Sequence, residues 1–70
     1  MCGIIGINSS KPVSSTIINS LKKLEYRGYD SAGIATLSRG KINEIKSEGR
    51  VDNLEKNSLV QSMEGTIGIG

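Results

Sequence analysis

Residues 12–28 read PVSSTIINSLKKLEYRG, and this stretch gives the strongest structural signal in the 70-residue chain. Its apolar side chains fall within a sector of about 140° when a helical rotation of about 100° per residue is assumed, which predicts an amphipathic helix with one core face. They are Val13, Ile17, Ile18, Leu21 and Leu24. Pro12 suits the first helical turn, where its missing N–H costs nothing. Gly28 is expected to end the helix in a left-handed conformation.

Short strands are predicted on both sides of this helix. Residues 3–7 alternate Gly and Ile, which indicates a short buried strand. Residues 31–38, SAGIATLS, are small or apolar on both faces and predict a strand that is covered on both sides. A tight turn at Arg39-Gly40 leads to a more polar strand over residues 41–48. The spacing of its apolar members, Ile42 and Ile45, leaves a bulge or a shifted boundary open.

The remainder of the chain predicts one more helix and one more strand. Val51 and Leu54 indicate a short helix that ends around Asn57-Ser58, while residues 59–64 fit no single element. Residues 65–70, GTIGIG, are typical of the beginning of a buried strand. Because domains usually end in exposed polar segments, we expect the chain to be truncated. The predicted fold class is α+β.

Composition limits what the chain is able to do by itself. A domain of this size buries only about 60% of its unfolded surface, so its stability is marginal without further support. One cysteine permits no internal disulfide, and without any histidine a closed Cys/His zinc site is excluded. Leu, Ile and Val nonetheless make up 18 of the 70 residues, which is too many for a typical disordered chain. We expect no metal and no organic cofactor.

Charge argues against two classes of partner. The net charge of +2 comes from nine basic and seven acidic residues that are interspersed, so neither nucleic-acid binding nor membrane-surface binding is supported. No apolar run approaches the length of a membrane span, and no signal peptide precedes the first strand. A cytoplasmic, reducing location is the expectation.

Cys2 is the most informative position for chemistry. If Met1 is removed, Cys2 carries a thiol with an ordinary pKa of about 8.5 and a free α-amine with a pKa of about 7.7–8.0, so that a base stands beside the nucleophile. Such a residue needs no histidine partner. The competing interpretation is that a lone cysteine is a small buried apolar side chain.

Two motifs favour the catalytic interpretation. They are MCGIIGI at residues 1–7 and LEYRGYDSAG at residues 24–33. Together, and at this separation, they resemble the class II glutamine amidotransferases of the N-terminal nucleophile hydrolase superfamily. Within that class, Tyr29 and the run around it resemble the glutamine–fructose-6-phosphate aminotransferases. The resemblance extends along all 70 residues, which form an N-terminal piece of the glutaminase domain, residues 1–70.

The resemblance implies a reaction, two site residues and a fold. Cys2 matches the nucleophile, which forms a γ-glutamyl thioester while ammonia leaves; the parent enzyme passes that ammonia to fructose 6-phosphate and yields glucosamine 6-phosphate. Arg27 matches an arginine on the wall of the L-glutamine pocket, although a local ion pair with Asp30 is the alternative. Tyr26 and Tyr29 are expected to pack the helix end against the sheet. The implied fold is part of a four-layer αββα arrangement, and the parent enzyme is expected to be a homodimer.

Other parts of the family pattern lie outside these residues. A His-Thr-Arg-Trp segment, an Asn-Gly oxyanion pair, an aspartate that holds the substrate amine and the sugar-phosphate isomerase domains are all absent from the 70 residues. Since a single oxyanion donor is worth about 10²–10³ in rate, we expect the chain to be inactive alone. Three alternatives stay open: a different class II amidotransferase, a truncated product without function, and an interaction module that pairs through an open strand near Ile67 and Ile69.

Overall fold

The computed structural model describes residues 3–28 and 30–70, and for Arg27 the backbone alone. This part of the chain forms a small α+β domain, as the sequence predicts, in which one antiparallel sheet is packed against a layer of helices. The elements, in chain order, are β1 (Gly6–Asn8), α1 (Ser14–Leu24), a 3-10 turn (Glu25–Arg27), β2 (Ser31–Ser38), β3 (Lys41–Glu48), α2 (Val51–Glu55), α3 (Ser58–Gln61) and β4 (Ile67–Ile69).

The sheet has the strand order β1-β4-β2-β3, with every neighbouring pair antiparallel. β4 therefore lies inside the sheet, with Gly68 paired to Ile7 on one side and to Thr36 on the other. The prediction of an open strand near Ile67 and Ile69 is wrong, because both edges of β4 are already hydrogen-bonded. Edge addition at this strand has no free backbone groups to use.

The hairpin of β2 and β3 follows its predicted boundaries without a bulge. Its register runs unbroken from Ser31 opposite Glu48 to Ser38 opposite Lys41. Arg39 and Gly40 have φ values of 54° and 75°, the positive values at both central positions that a tight hairpin turn compatible with strand twist requires. Ile42 and Ile45 lie on opposite faces of the sheet, which explains why their spacing does not follow a period of two.

Helix α1 supplies the main contact between the two layers. Its apolar side chains pack on one face of the sheet, called here the inner face, together with residues of α2, α3 and β2. Ile17 and Leu54 are completely buried in this core. The buried apolar residues are Val13, Ile17, Ile18, Leu21, Ile34, Val51, Leu54, Val60 and Met63. The predicted core face of α1 is thus confirmed, although the helix begins two residues after Pro12.

The opposite face of the sheet, called here the outer face, is apolar but exposed. β2 is covered on its inner face alone within the described residues, so the prediction of cover on both sides is wrong for this chain. Strand register places Leu37, Ile67 and Ile69 on the outer face, and all three are exposed. Ile42, opposite Leu37, is 75% exposed. The apolar side chains of the helices pack on the inner face.

The N-terminal strand is also shifted and less buried than predicted. Residues 3–7 were expected to form it, whereas β1 spans Gly6–Asn8 and both of its terminal residues are exposed. Ile5 and Ile7 pack against the core, while Ile4 is exposed. Burial on one face alone is the normal condition of a strand at the side of an open antiparallel sheet.

Candidate active site

Of the two residues proposed for the chemistry, the structure describes only the backbone of Arg27. Cys2, like Tyr29, lies outside the described residues. The backbone of Arg27 closes the 3-10 turn that continues α1, and its side chain lies outside the described part. Gly28 follows with a φ of 111°, and its N–H donates to the carbonyl of Glu25 at 2.8 Å. Gly28 ends the helical segment with a positive φ, as predicted, but its ψ of 164° is not that of the predicted left-handed helical conformation, and α1 itself already ends at Leu24.

Gly3, the residue bonded to Cys2, fixes where the N-terminal segment meets the rest of the molecule. A Cβ atom at this position would lie 2.9 Å from Leu24 Cδ1 and 3.2 Å from Leu24 Cβ. Real Cβ atoms are not found at the shorter distance, so glycine permits a close approach of the chain to the last residue of α1. Gly3 therefore lies beside Leu24, the first residue of the LEYRGYDSAG motif.

A cleft of about 260 Å³ opens at this junction. It is somewhat smaller than the roughly 300–1,000 Å³ typical of ligand pockets. The residues that line it come from the N-terminal segment, the end of α1, the motif, the loop before α2 and the last residue of the chain. They are Gly3, Leu21, Leu24, Glu25, Gly28, Asp30, Ser31, Ala32, Gly33, Gly49, Val51 and Gly70.

Glu25 is the carboxylate that the fold buries in this cleft. Its side chain is 11% exposed, its Oε2 accepts a hydrogen bond from the Val51 N–H at 2.9 Å, and the same oxygen lies 3.8 Å from Arg50 Nε. Val51 is the first residue of α2, where backbone N–H groups have no partner within the helix. Glu25 therefore supplies the acceptor that α2 lacks, and connects the motif to the next loop.

Asp30 makes a second connection between the same two segments. Its carbonyl accepts a hydrogen bond from the Gly49 N–H at 2.8 Å. Gly49 has a φ of 85°, a conformation that glycine adopts at little steric cost. The alternative role for Arg27, an ion pair with Asp30, stays untested because it involves the Arg27 side chain.

Tyr26 differs from its prediction. Its side chain is 79% exposed, so it does not pack the helix end against the sheet. At a helical rotation of about 100° per residue, Tyr26 falls on the side opposite to the core face of α1, whereas Glu25 falls on that face. The inward position in this turn belongs to Glu25.

An ion pair next to the cleft joins α1 to α2. Lys22 Nζ donates to Glu55 Oε1 at 2.6 Å and lies 3.7 Å from Asp52 Oδ1. The hydrogen bond to Glu55, followed by the attraction of the two carboxylates, raises the pKa of Lys22 above its usual 10.5, and partial desolvation opposes this. The pair holds α2 near the cleft from the solvent side.

Other parts of the described structure offer weaker sites. A larger open groove of about 660 Å³ runs between β3 and the α3–β4 connection, lined by residues such as Ile42, Leu59 and Met63. It contains no nucleophile of the kind the sequence predicts. Across residues 3–28 and 30–70, no group of three or more histidine, cysteine or acidic side chains could hold a metal ion. In the same residues no helix is long and apolar enough to cross a membrane.

Comparison with curated proteins points to one kind of enzyme, although no protein-family model matches the chain. All 70 residues align with the glutamine–fructose-6-phosphate aminotransferase (isomerizing) of Bradyrhizobium diazoefficiens at 50% identity. The identity is 51% to the protein of the same name from Brucella abortus and 53% to that from Clostridium acetobutylicum. Over these residues the chain is similar to the glutamine–fructose-6-phosphate aminotransferases. It spans 12% of the length of each of these three relatives.

This similarity confirms the resemblance predicted from the two motifs. Identity near 50% over all 70 residues is more than two short motifs could supply, so the similarity extends beyond them. The relatives are aminotransferases by name, and their names include both glutamine and fructose 6-phosphate. Sequence reasoning misses Glu25 and Gly49 as cleft residues; the available signal for Glu25 is its position inside the motif, two residues before Arg27.

Proposed function

We propose that this chain carries the nucleophile of a class II glutamine amidotransferase and that its parent reaction is that of the glutamine–fructose-6-phosphate aminotransferases. The observation that carries the proposal is the identity of 50–53% over all 70 residues to proteins of that name. The cleft beside Gly3, lined by residues of the second motif, supports it. Residues 1–70 then belong to the glutaminase domain, and the sugar-phosphate chemistry belongs to parts of the protein beyond these residues.

The proposed chemistry begins with the thiol of Cys2. After removal of Met1, the α-amine of Cys2 accepts the thiol proton, and the sulfur attacks the side-chain carbonyl carbon of L-glutamine. The C–N bond breaks, the nitrogen leaves as ammonia with the transferred proton, and a γ-glutamyl thioester remains. Water then cleaves the thioester to glutamate and restores the thiol. An amine with a pKa of about 7.7–8.0 is well matched to this role near neutral pH.

Arg27 is proposed as a wall of the glutamine pocket. The 3-10 turn places its backbone between Glu25 and Gly28, both of which line the cleft. A guanidinium at this position offers a planar set of donors that suits a carboxylate or amide oxygen of the substrate. Ammonia released at the cleft would be transferred to fructose 6-phosphate in the parent enzyme to yield glucosamine 6-phosphate.

That the chain forms part of the four-layer αββα fold is also a proposal. A second sheet that packs on the outer face would complete the αββα arrangement of N-terminal nucleophile hydrolases. The exposed apolar residues Leu37, Ile42, Ile67 and Ile69 support it, because two packed sheets bury such residues between them. A homodimeric parent and a cytoplasmic location, where thiols stay reduced, complete the proposal.

A chimaera tests the function directly. The matching 70 residues of the Bradyrhizobium relative would be replaced by this chain, and glutamate and glucosamine 6-phosphate formation would be measured. We expect activity that Cys2→Ala abolishes and that Ser15→Ala, an exposed change on α1, leaves unchanged. A folded chimaera that makes neither product, or whose activity survives Cys2→Ala, would overturn the proposal.

The isolated chain gives a second test. We expect no glutamine hydrolysis by the 70 residues alone, because the donors that stabilise the oxyanion and hold the substrate are absent from them. Cys2-dependent turnover in a glutaminase assay would contradict this expectation. The mass of the intact chain shows whether Met1 is removed; retention of Met1 in an active parent would rule out the α-amine as the base.

A further inference from the structure

The loop at Gly49–Val51 is attached to the LEYRGYDSAG motif on both sides of Arg27. On one side, Glu25 Oε2 accepts the hydrogen bond from Val51 N at 2.9 Å. On the other, the carbonyl of Asp30 accepts from Gly49 N at 2.8 Å. Glu25 and Asp30 are therefore both attached to a single short loop, and this double attachment is called here the arch.

Glu25 takes part in this arch through two groups. Its carboxylate contacts the loop, while its main-chain carbonyl accepts from Gly28 N at 2.8 Å and closes the turn that contains Arg27. The same residue thus determines the shape of the turn and its attachment. At 11% exposure, with Arg50 Nε at 3.8 Å, the carboxylate is largely removed from solvent and compensated by a cation. Hydrogen bonds to charged acceptors of this kind are stronger than neutral ones.

We propose that Glu25 is a positioning residue that holds the Arg27 turn and the Gly49–Val51 loop as two fixed walls of the cleft. The role of these walls in holding glutamine rests on the proposed function, whereas the positioning itself does not. Leu24, the neighbour of Glu25, contacts the position of Gly3 from the same end of α1. The wall that Glu25 fixes is therefore adjacent to the segment that leads into Cys2.

Two substitutions separate the contributions of the side chain. Glu25→Ala leaves the Val51 N–H without its acceptor and the Arg50 guanidinium without this carboxylate. Glu25→Gln retains an oxygen acceptor of nearly the same shape and removes only the charge. Glu44→Ala is the matched control, because Glu44 is an exposed glutamate on β3 whose carboxylate lies 3.8 Å from Lys46 Nζ.

Amide hydrogen exchange on the folded 70-residue chain tests the positioning. With Glu25→Ala we expect exchange at Val51 and Gly28 to accelerate by about tenfold more than at Leu21 and Thr36, which report the core. Glu25→Gln should restore most of the protection, and Glu44→Ala should change neither pair. Equal acceleration of exchange at all four amides would mean that Glu25 contributes only general stability. Unchanged exchange at Val51 and Gly28 would mean that Glu25 holds neither wall. Either result would overturn the proposal.

Labelling of Cys2 tests the connection with glutamine. The chimaera with the Bradyrhizobium relative would be treated with a diazoketone analogue of glutamine and, separately, with iodoacetamide. If labelling by the analogue saturates, we expect Glu25→Ala to raise the analogue concentration that gives half-maximal labelling by about tenfold, while the rate of reaction with iodoacetamide stays constant. An unchanged half-maximal concentration would overturn the positioning role. If the chimaera shows no preference for the analogue, the proposed function fails, and hydrogen exchange still decides the role of Glu25.

Discussion

The two faces of the sheet have similar residues and opposite environments. On the inner face of β2, Ile34 and Thr36 are each 2% exposed beneath α1. On its outer face, Leu37 is 44% exposed beside Ile67 and Ile69. Both faces carry the apolar side chains that favour burial, but α1, α2 and α3 all pack on one of them. The comparison shows that an apolar pattern indicates which faces require cover, whereas the connections between elements decide which face receives it.

The same substitution on the two faces gives the largest expected contrast. Ile34→Thr places a hydroxyl and a smaller side chain in the core, and we expect it to lower the free energy of unfolding by about 2–4 kcal/mol. Ile42→Thr makes the same change on the outer face and retains β-branching, so we expect an effect within about 0.5 kcal/mol. Urea unfolding followed by circular dichroism measures both. A comparable loss from Ile42→Thr would mean that another part of the molecule covers the outer face.

Two glycines extend the comparison to the backbone. A Cβ on Gly68 would point to the inner side and lie 2.8 Å from Ile17 Cδ1 and 2.9 Å from the Ala35 carbonyl oxygen. We expect Gly68→Ala to destabilise the chain by about 1–3 kcal/mol, the usual range for overpacking. A Cβ on Gly6 would find its nearest atom at 3.9 Å, on the outer face. Thermal unfolding of Gly6→Ala should therefore resemble that of the wild type, and equal losses from the two variants would contradict the assigned faces.

Thr36 contributes a polar contact to the inner face. Its hydroxyl donates to the carbonyl of Glu64 at 2.7 Å, which ties the segment before β4 to β2. Thr36→Val keeps the shape and leaves that carbonyl without its partner, so we expect a loss of about 1–2 kcal/mol in the free energy of unfolding. Thr16→Val, on the exposed side of α1, is the control. An unchanged denaturation midpoint for Thr36→Val would indicate that the hydrogen bond has no net effect.

The smallest expected effect is at the surface, between α1 and α2. The hydrogen bond to Glu55 raises the pKa of Lys22 in the folded chain. The contribution of Lys22 to the free energy of unfolding is therefore complete below the pKa that Lys22 has in the unfolded chain, and it is lost as the pH rises through the pKa in the folded chain. Wild type should therefore exceed Lys22→Met in stability at neutral pH, and this difference should shrink above about pH 10.5. Unfolding of both proteins across pH 7–12 measures the difference. A difference that grows with pH would contradict this assignment.

Local sequence predicts the elements of this fold better than their arrangement. The boundaries of β2 and β3 follow from their composition and the Arg39-Gly40 turn, and the core face of α1 follows from its periodicity. The central position of β4 does not follow, because the partners of Ile67–Ile69 lie far away in the sequence. The outer face is misjudged for the same reason: residues 31–38 indicate burial on both sides but contain no information about what covers them.

In the candidate site, too, some residues are predicted from the sequence and others are found only in the structure. Cys2 and Arg27 are proposed from motifs alone, and their side chains lie outside the described structure, so their roles stay predictions. Glu25 and Gly49 are found only through three-dimensional contacts, because a glutamate near a helix end is usually an exposed side chain and the burial of Glu25 depends on Val51, 26 residues later. The proximity of Gly3 to Leu24 is likewise a tertiary contact.

The pairing of β1 with β4 has a consequence for how the molecule acquires its site. Ile5 exchanges both of its main-chain hydrogen bonds with Gly70, and Ser9 N–H donates to the Thr66 carbonyl. Residues near the beginning of the chain thus find their partners among the last ones, a contact of high sequence separation that forms at a large entropic cost. During synthesis β1 therefore cannot complete its pairing until residues 66–70 are available, so the cleft that Gly3 and Gly70 both line closes late.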